Sequence, residues 1–109
     1  MKVKLAILLG LVIVMSFVWA LTGRITGTVY YEPGDEPVGA GIPVVIYNNS
    51  ESWTVYTASS GTYLWIGDYG FYSVYAYYVD GNPQWWSDTF GVALFQSEAE
   101  QDIILYEME

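Results

Sequence analysis

From Arg24 onward no stretch holds a helical period of useful length. Short β-branched and aromatic runs take its place, punctuated by Gly, Pro, Asn and Asp. A chain of this kind folds as strands joined by turns. Arg24–Tyr31 alternates Ile25, Gly27, Val29 and Tyr31 against Thr26, Thr28 and Tyr30, so one face suits a core and the other stays semi-polar. Glu32-Pro33-Gly34-Asp35-Glu36-Pro37 breaks that run, because two prolines and a glycine cannot continue a ladder. The next runs are Ile42–Tyr47, with Ile42, Val44 and Ile46 on one face, Trp53–Thr57, and Thr62–Ile66, with Tyr63 and Trp65 on one face. Phe71–Val79, Trp85–Leu94 with a kink expected at Gly91, and Gln101–Tyr106 follow. Turns at Asn48-Asn49-Ser50, Ser59-Ser60-Gly61, Gly67-Asp68-Tyr69-Gly70 and Asp80-Gly81-Asn82-Pro83, and the polar stretch Gln96–Glu100, separate them. The spacing predicts an all-β, seven-stranded Greek-key β-sandwich, immunoglobulin-like or transthyretin-like, with two sheets sharing one inner layer.

The first residues read differently. Lys2 and Lys4 precede an uncharged, mostly apolar run from Leu5 to Leu21, and Val18-Trp19-Ala20 has the form of a small-x-small cleavage site. Residues 1–20 are therefore expected to be a signal peptide or a membrane anchor forming an N-terminal hydrophobic helix, and residues 21–109 the β-sandwich domain. This places the domain outside the cytoplasm, secreted or at the cell surface. A membrane is a partner only if the segment is retained.

Charge and composition exclude several classes of function. Of the 12 acidic and 3 basic residues, only Arg24 among the bases lies beyond residue 20, which leaves residues 21–109 strongly acidic. Such a surface repels phosphate backbones, so no nucleic-acid partner is expected. The absence of cysteine removes disulfides and thiolate metal sites, leaving burial to hold the fold. Histidine is absent too, and the only lysines are Lys2 and Lys4, so the usual general bases and activated nucleophiles are missing from the domain and no enzyme activity is expected. Glu98, Glu100 and Asp102, and Glu32 with Asp35 and Glu36, could in principle serve as a glycosidase acid and base or as oxygen ligands for calcium. They read instead as solvated acidic edges, and no cofactor is expected. Asn48-Asn49-Ser50 has the form of a glycosylation sequon and equally that of an Asn-rich turn.

Several segments taken in order carry a family resemblance: Gly27-Thr28-Val29, Glu36-Pro37-Val38-Gly39-Ala40-Gly41-Ile42-Pro43-Val44, Gly61-Thr62-Tyr63-Leu64-Trp65, Gly70-Phe71-Tyr72-Ser73-Val74-Tyr75-Ala76 and Asp102-Ile103-Ile104-Leu105. From about Ile25 to Tyr106 the chain resembles the carboxypeptidase regulatory-like domains, a transthyretin-like (prealbumin-like) sandwich. In keeping with this, Gly61 and Gly70 stand where hairpin turns favour positive φ. The resemblance implies an accessory or scaffolding module with no activity of its own. Two departures stand out: the family's module normally rides on a larger protein, and the aromatic load here is heavy.

That load is the informative feature. Beyond residue 20 lie Trp53, Trp65, Trp85 and Trp86, 11 tyrosines and three phenylalanines, more rings than one inner layer needs. On Phe71–Val79, with Tyr72, Val74, Ala76 and Tyr78 inward, Phe71, Tyr75, Tyr77 and Val79 form an outward stripe, and one of Trp85 and Trp86 extends it. These residues are expected to drive self-association, or association with another surface protein, in a filament, sheath or adhesin. Thr22–Tyr31 is expected to be free to add to a neighbour's sheet edge, with Thr22, Ile25, Val29 and Tyr31 as the inserted residues. A type IV pilin fits less well, since no acid occurs before Glu32. The alternative is a small carbohydrate-binding module, with Trp85, Trp86 and outward tyrosines stacking on polysaccharide rings and Asp80, Asn82 and Asp88 bonding hydroxyls.

Overall fold

The computed structural model describes residues 21–108, so the expectations for residues 1–20 lie outside it. Ten strands run in order: β1 (Thr22–Tyr31), β2 (Glu36–Pro37), β3 (Pro43–Tyr47), β4 (Ser52–Tyr56), β5 (Thr62–Asp68), β6 (Gly70–Tyr78), β7 (Gln84–Ser87), β8 (Phe90–Leu94), β9 (Glu98–Glu100) and β10 (Ile103–Met108). No helix occurs among the described residues.

The strands form one curled sheet in the order β2-β1-β10-β7-β6-β3-β4, with β5 and β9 added to β1 and β8 added to β6. The two longest strands change partners along their length. β1 pairs antiparallel with β5 and parallel with β9 through its first half, then parallel with β10 from Val29 to Tyr31. β6 pairs with β8 over Gly70–Val74, with β3 over Ser73–Ala76 and with β7 at Tyr77 and Tyr78. Each of these strands thereby turns the sheet back on itself, and the inner faces meet.

Alternation fills that interior. Ile25 and Val29 of β1, Val44 and Ile46 of β3, Val74 and Ala76 of β6, Leu94 of β8, and Ile103 and Leu105 of β10 are fully buried. Each aliphatic side chain larger than alanine withdrawn this far from water contributes about 1.5–3 kcal/mol. The outermost strands β4 and β5 are bridged by rings. Trp53 lies 4.9 Å from Trp65, and Trp65 lies 4.8 Å from Tyr72 of β6. Gly67 makes room for this cluster, because a Cβ there would overlap the Trp65 indole.

The structure departs from the sequence reading in five places. The run Trp85–Leu94 divides at Asp88 and Thr89, and Gly91 stays in the ladder opposite Ser73. The cause is Ser87, whose Oγ accepts from the Ala76 N–H at 2.8 Å and donates to the Asp88 carbonyl at 2.8 Å, replacing a ladder bond and bending the chain. Glu36 and Pro37 return as the edge strand β2, where a missing N–H costs nothing. Glu98–Glu100 forms β9 in place of a polar connection. Gly61 does sit at φ +82°, with Val38 and Val29 carbonyls close by, whereas Gly70 is not at positive φ and simply opens β6. Finally, Thr22–Tyr31 is not free for donation. It is bonded on both edges within its own sheet, and Ile25 and Val29 belong to its own core, so removing it would expose the interior.

The molecule has two poles. At one, Leu21 leads into β1, β5 ends, β6 begins and β8 ends; the Leu21 carbonyl accepts from the Tyr69 N–H at 3.1 Å. At the other, β1, β6 and β10 finish together.

Candidate functional site

Period-two geometry puts Tyr75 and Tyr77 of β6 on the outer face, away from Val74 and Ala76. The β6–β7 register sets Trp86 opposite Tyr77 and Trp85 opposite Tyr78. Trp86 is therefore the outward ring of its pair. Its indole stacks on Tyr77 at 5.1 Å with planes 20° apart and on Tyr75 at 6.4 Å with planes 18° apart. Tyr75 and Tyr77 lie 6.2 Å from each other, and Tyr47 of β3 meets Tyr75 edge-on at 6.0 Å. Across β10, Tyr106 is the register partner of Trp86. Rings from β3, β6, β7 and β10 thus line one outer face, with Trp86 and Tyr106 exposed and Tyr47, Tyr75 and Tyr77 half-buried.

Mutual packing fixes these rings before any partner arrives. Aromatic pairs contribute about 0.5–1.5 kcal/mol each beyond the area they bury. A partner meeting this face therefore restrains few side-chain rotamers on binding. Beside Tyr47 and Tyr75, the turn Asn48–Ser52 forms the wall of an open groove of about 550 Å³. Asn48 shapes that turn, its Oδ1 accepting from the Ser50 and Glu51 N–H groups at 2.9 Å.

The other candidates fall elsewhere. Trp85 points inward, 4.9 Å from Tyr31, and packs against the core, so it leaves the outer stripe and the two tryptophans form no shared platform. Phe71 is 75% exposed but is separated from Tyr75 by Ser73 on the same face, so the stripe expected from β6 is two clusters. Phe71 pairs instead with Phe95 at 5.0 Å. Thr22 is exposed at the start of β1, and Tyr31, like Ile25 and Val29, serves the domain's own packing. Asp80, Asn82 and Asp88 are exposed on the segments flanking β7.

Tyr47 and Tyr106 escaped the sequence reading. The signal was present: Tyr47 alternates with Val44 and Ile46, and Tyr106 with Ile103 and Leu105, so both had to point outward. Leu64 and Ile66 follow the same rule, alternating with Tyr63 and Trp65, and stand exposed on β5.

Two of the carboxylates have structural partners. Glu98 pairs with Arg24 at 3.1 Å, and Asp102 accepts from the Thr28 N–H at 2.9 Å. Among the described residues no three acidic side chains gather as a metal-ligand group.

No protein-family model matches the chain, and no curated protein matches its sequence. Solved structures do match in fold. A DUF3823 family protein from Parabacteroides merdae superposes with a TM-score of 0.61 at 17% identity, over 79% of this chain and 46% of that one. The Bacillus anthracis TIE protein gives 0.59 at 17% identity, over 80% of this chain and 17% of that one. GBS52, the minor pilin of Streptococcus agalactiae, gives 0.59 at 18% identity, over 81% of this chain and 45% of that one. The likeness is one of fold. The chain spans less than half the length of each of these proteins.

Proposed function

We propose that this chain is a non-catalytic interaction protein of the cell surface, a subunit or accessory of a filament, sheath or adhesin, whose copies associate through the outer aromatic face. On this reading the domain is a transthyretin-like β-sandwich of the carboxypeptidase regulatory-like type. The observation that carries the proposal is the near-parallel stacking of Trp86 on Tyr75 and Tyr77, a preorganised aromatic surface on the outer face in which Trp86 is exposed and the two tyrosines are half-buried. Aromatic residues are enriched in protein interfaces and carry much of their energy. The fold shared with a minor pilin supports a surface role, as does the leader-like pattern of residues 1–20. Lack of histidine and cysteine supports a role without catalysis.

Sedimentation across a concentration series tests this. The wild-type protein is expected to form larger species as concentration rises. Tyr75→Thr/Tyr77→Thr/Trp86→Thr is expected to stay monomeric with an unchanged far-UV circular dichroism spectrum. A wild-type chain that remains monomeric, or one whose Trp fluorescence is quenched by added glycan, would overturn the proposal.

A further inference from the structure

Among the described residues β5 pairs along one edge alone, with β1, and it is the longest of the strands that have a single neighbour. The register fixes which of its backbone groups are left over. Val29 donates to the Gly61 carbonyl at 2.9 Å and Tyr69 to the Leu21 carbonyl at 3.1 Å, so the hydrogen-bonded pairs with β1 fall at Tyr63, Trp65 and Gly67. The N–H and carbonyl groups of Leu64, Ile66 and Asp68 therefore point to the unpaired edge. Thr62 keeps its N–H there, while its carbonyl accepts from the Ala58 N–H at 2.8 Å.

Sheets ordinarily guard such an edge with short length, proline or charge. The edge strand β2 is two residues long and ends in Pro37, and β9 is Glu98-Ala99-Glu100. Neither guard is present on β5. Asp68 is its only charged residue, and Leu64 and Ile66, whose backbone groups are unclaimed, also have side chains 50% and 67% exposed. Behind them on β1, Arg24 is the register partner of Ile66 and is offset by Glu98. A strongly acidic chain thus carries one apolar edge with little charge of its own.

We propose that this edge pairs with the β5 edge of a second copy, antiparallel, about a two-fold axis at Trp65. The sequence of β5 selects that occupant. In this register Leu64 of each copy lies opposite Ile66 of the other, and each such pair exchanges N–H and carbonyl bonds in both directions. Thr62 lies opposite Asp68, so no like charges meet. Moving the axis by one residue sets Ile66 against Thr62 or Leu64 against Asp68, and in-register parallel pairing sets Asp68 beside Asp68. The strand is therefore complementary to itself in one arrangement, as a two-fold contact requires.

One pair of strands buries far less than the area of about 1,600 Å² typical of a stable interface, so on its own this contact is transient. Copies already held through their outer aromatic faces present such edges at high effective concentration, and the pairing then joins them side by side. That role rests on the association proposed above, whereas the edge pairing itself does not.

The chain has no cysteine, so introduced thiols report a single contact. Full chain carrying Thr62→Cys is mixed with full chain carrying Asp68→Cys and oxidised with copper phenanthroline, which traps transient pairs. Directly opposed residues lie about 5.5 Å apart at Cα, within reach of a disulfide, whereas either position is about 20 Å from its own copy across the axis. The mixture is expected to form covalent dimer several-fold faster than either chain alone. Adding Leu64→Lys and Ile66→Lys to both chains is expected to remove most of that excess, and adding Tyr75→Thr, Tyr77→Thr and Trp86→Thr to retain it. A mixture no faster than the separate chains would overturn the proposal and leave the edge to a strand of another protein. An excess that survives the lysines, or one that disappears with the threonines, would overturn it too, the latter by showing that the aromatic face alone brings the copies together. If the lysine variant fails to fold, the contrast between the mixture and the separate chains still decides the matter.

Discussion

The ring of Tyr63 lies against the bare α-carbon of Gly27, its partner across the β1–β5 ladder. The hydroxyl continues past the strand to donate to the carbonyl of Gln101, whose own N–H binds the Thr26 carbonyl at 2.8 Å. One side chain thereby ties β5, β1 and the β9–β10 connection together. A Cβ at position 27 would overlap both the Gln101 carbonyl and the Tyr63 ring. Gly27→Ala is therefore expected to destabilise the fold by about 1–3 kcal/mol. Tyr63→Phe, which leaves the carbonyl without its donor, should cost about 1–3 kcal/mol. Urea denaturation midpoints measure both. A Gly27→Ala protein as stable as wild type would show that Tyr63 does not rest on that position.

Burial, followed by the charges of Asp102 and Glu100, raises the Tyr63 phenol well above its ordinary value. Burial, with Asp68 and Glu51 next, raises Tyr72 as well. An unfolded tyrosine loses its proton near pH ~10, while these two hold theirs in the native state. The Tyr63 contribution is thus complete below about pH 10 and declines as pH rises above it, by up to about 1.4 kcal/mol per pH unit, and Tyr72 acts in the same direction. Tyr63→Phe should flatten the alkaline limb of a stability-against-pH curve. An unchanged limb would mean that Tyr63 titrates alike in both states.

Thr57 is a buried polar residue of the core, 4% exposed. Its Oγ1 accepts from the Ile42 N–H at 3.0 Å and donates to the Gly39 carbonyl at 2.7 Å, fastening the loop before β3 to the end of β4. Thr57→Val keeps the volume and removes both bonds. A loss of about 1–3 kcal/mol is expected, with amide exchange accelerated at Ile42. Unchanged protection of that amide would refute the role.

Copies of an acidic chain repel one another, and salt weakens that repulsion over a Debye length of about 10 Å at 0.1 M. Association through stacked rings should therefore tighten as sodium chloride is raised. Sedimentation at low and high salt checks the sign. Dissociation on adding salt would mark the contact as an ion-pair interface and not an aromatic one.

Local alternation was legible in the sequence, and long-range register was not. The inward set Tyr72, Val74 and Ala76 follows from period two alone, as does the outward course of Tyr75 and Tyr77. Adjacency shows only that Trp85 and Trp86 oppose each other. Which of them is inside depends on pairing with Tyr78 on β6 and Glu107 on β10, residues distant in sequence. The same limit applies to β1. Read locally, Thr22–Tyr31 is an amphipathic strand that could serve any sheet, and its fixed place comes from β5, β9 and β10, all later in the chain. The break before β8 was misplaced because a glycine is a visible signal, whereas a serine hydroxyl taking over a backbone bond is not.

Because β1 runs parallel first to β9 and then to β10, the backbone leaves the domain at opposite ends, near Leu21 and near Met108. Tension applied between those ends slides β1 along its neighbours, so the cross-strand bonds resist in shear and must give way together. Single-molecule stretching from these two points should accordingly meet far more resistance than unzipping the β3–β4 hairpin. A unit wired this way can sit in series within a load-bearing thread.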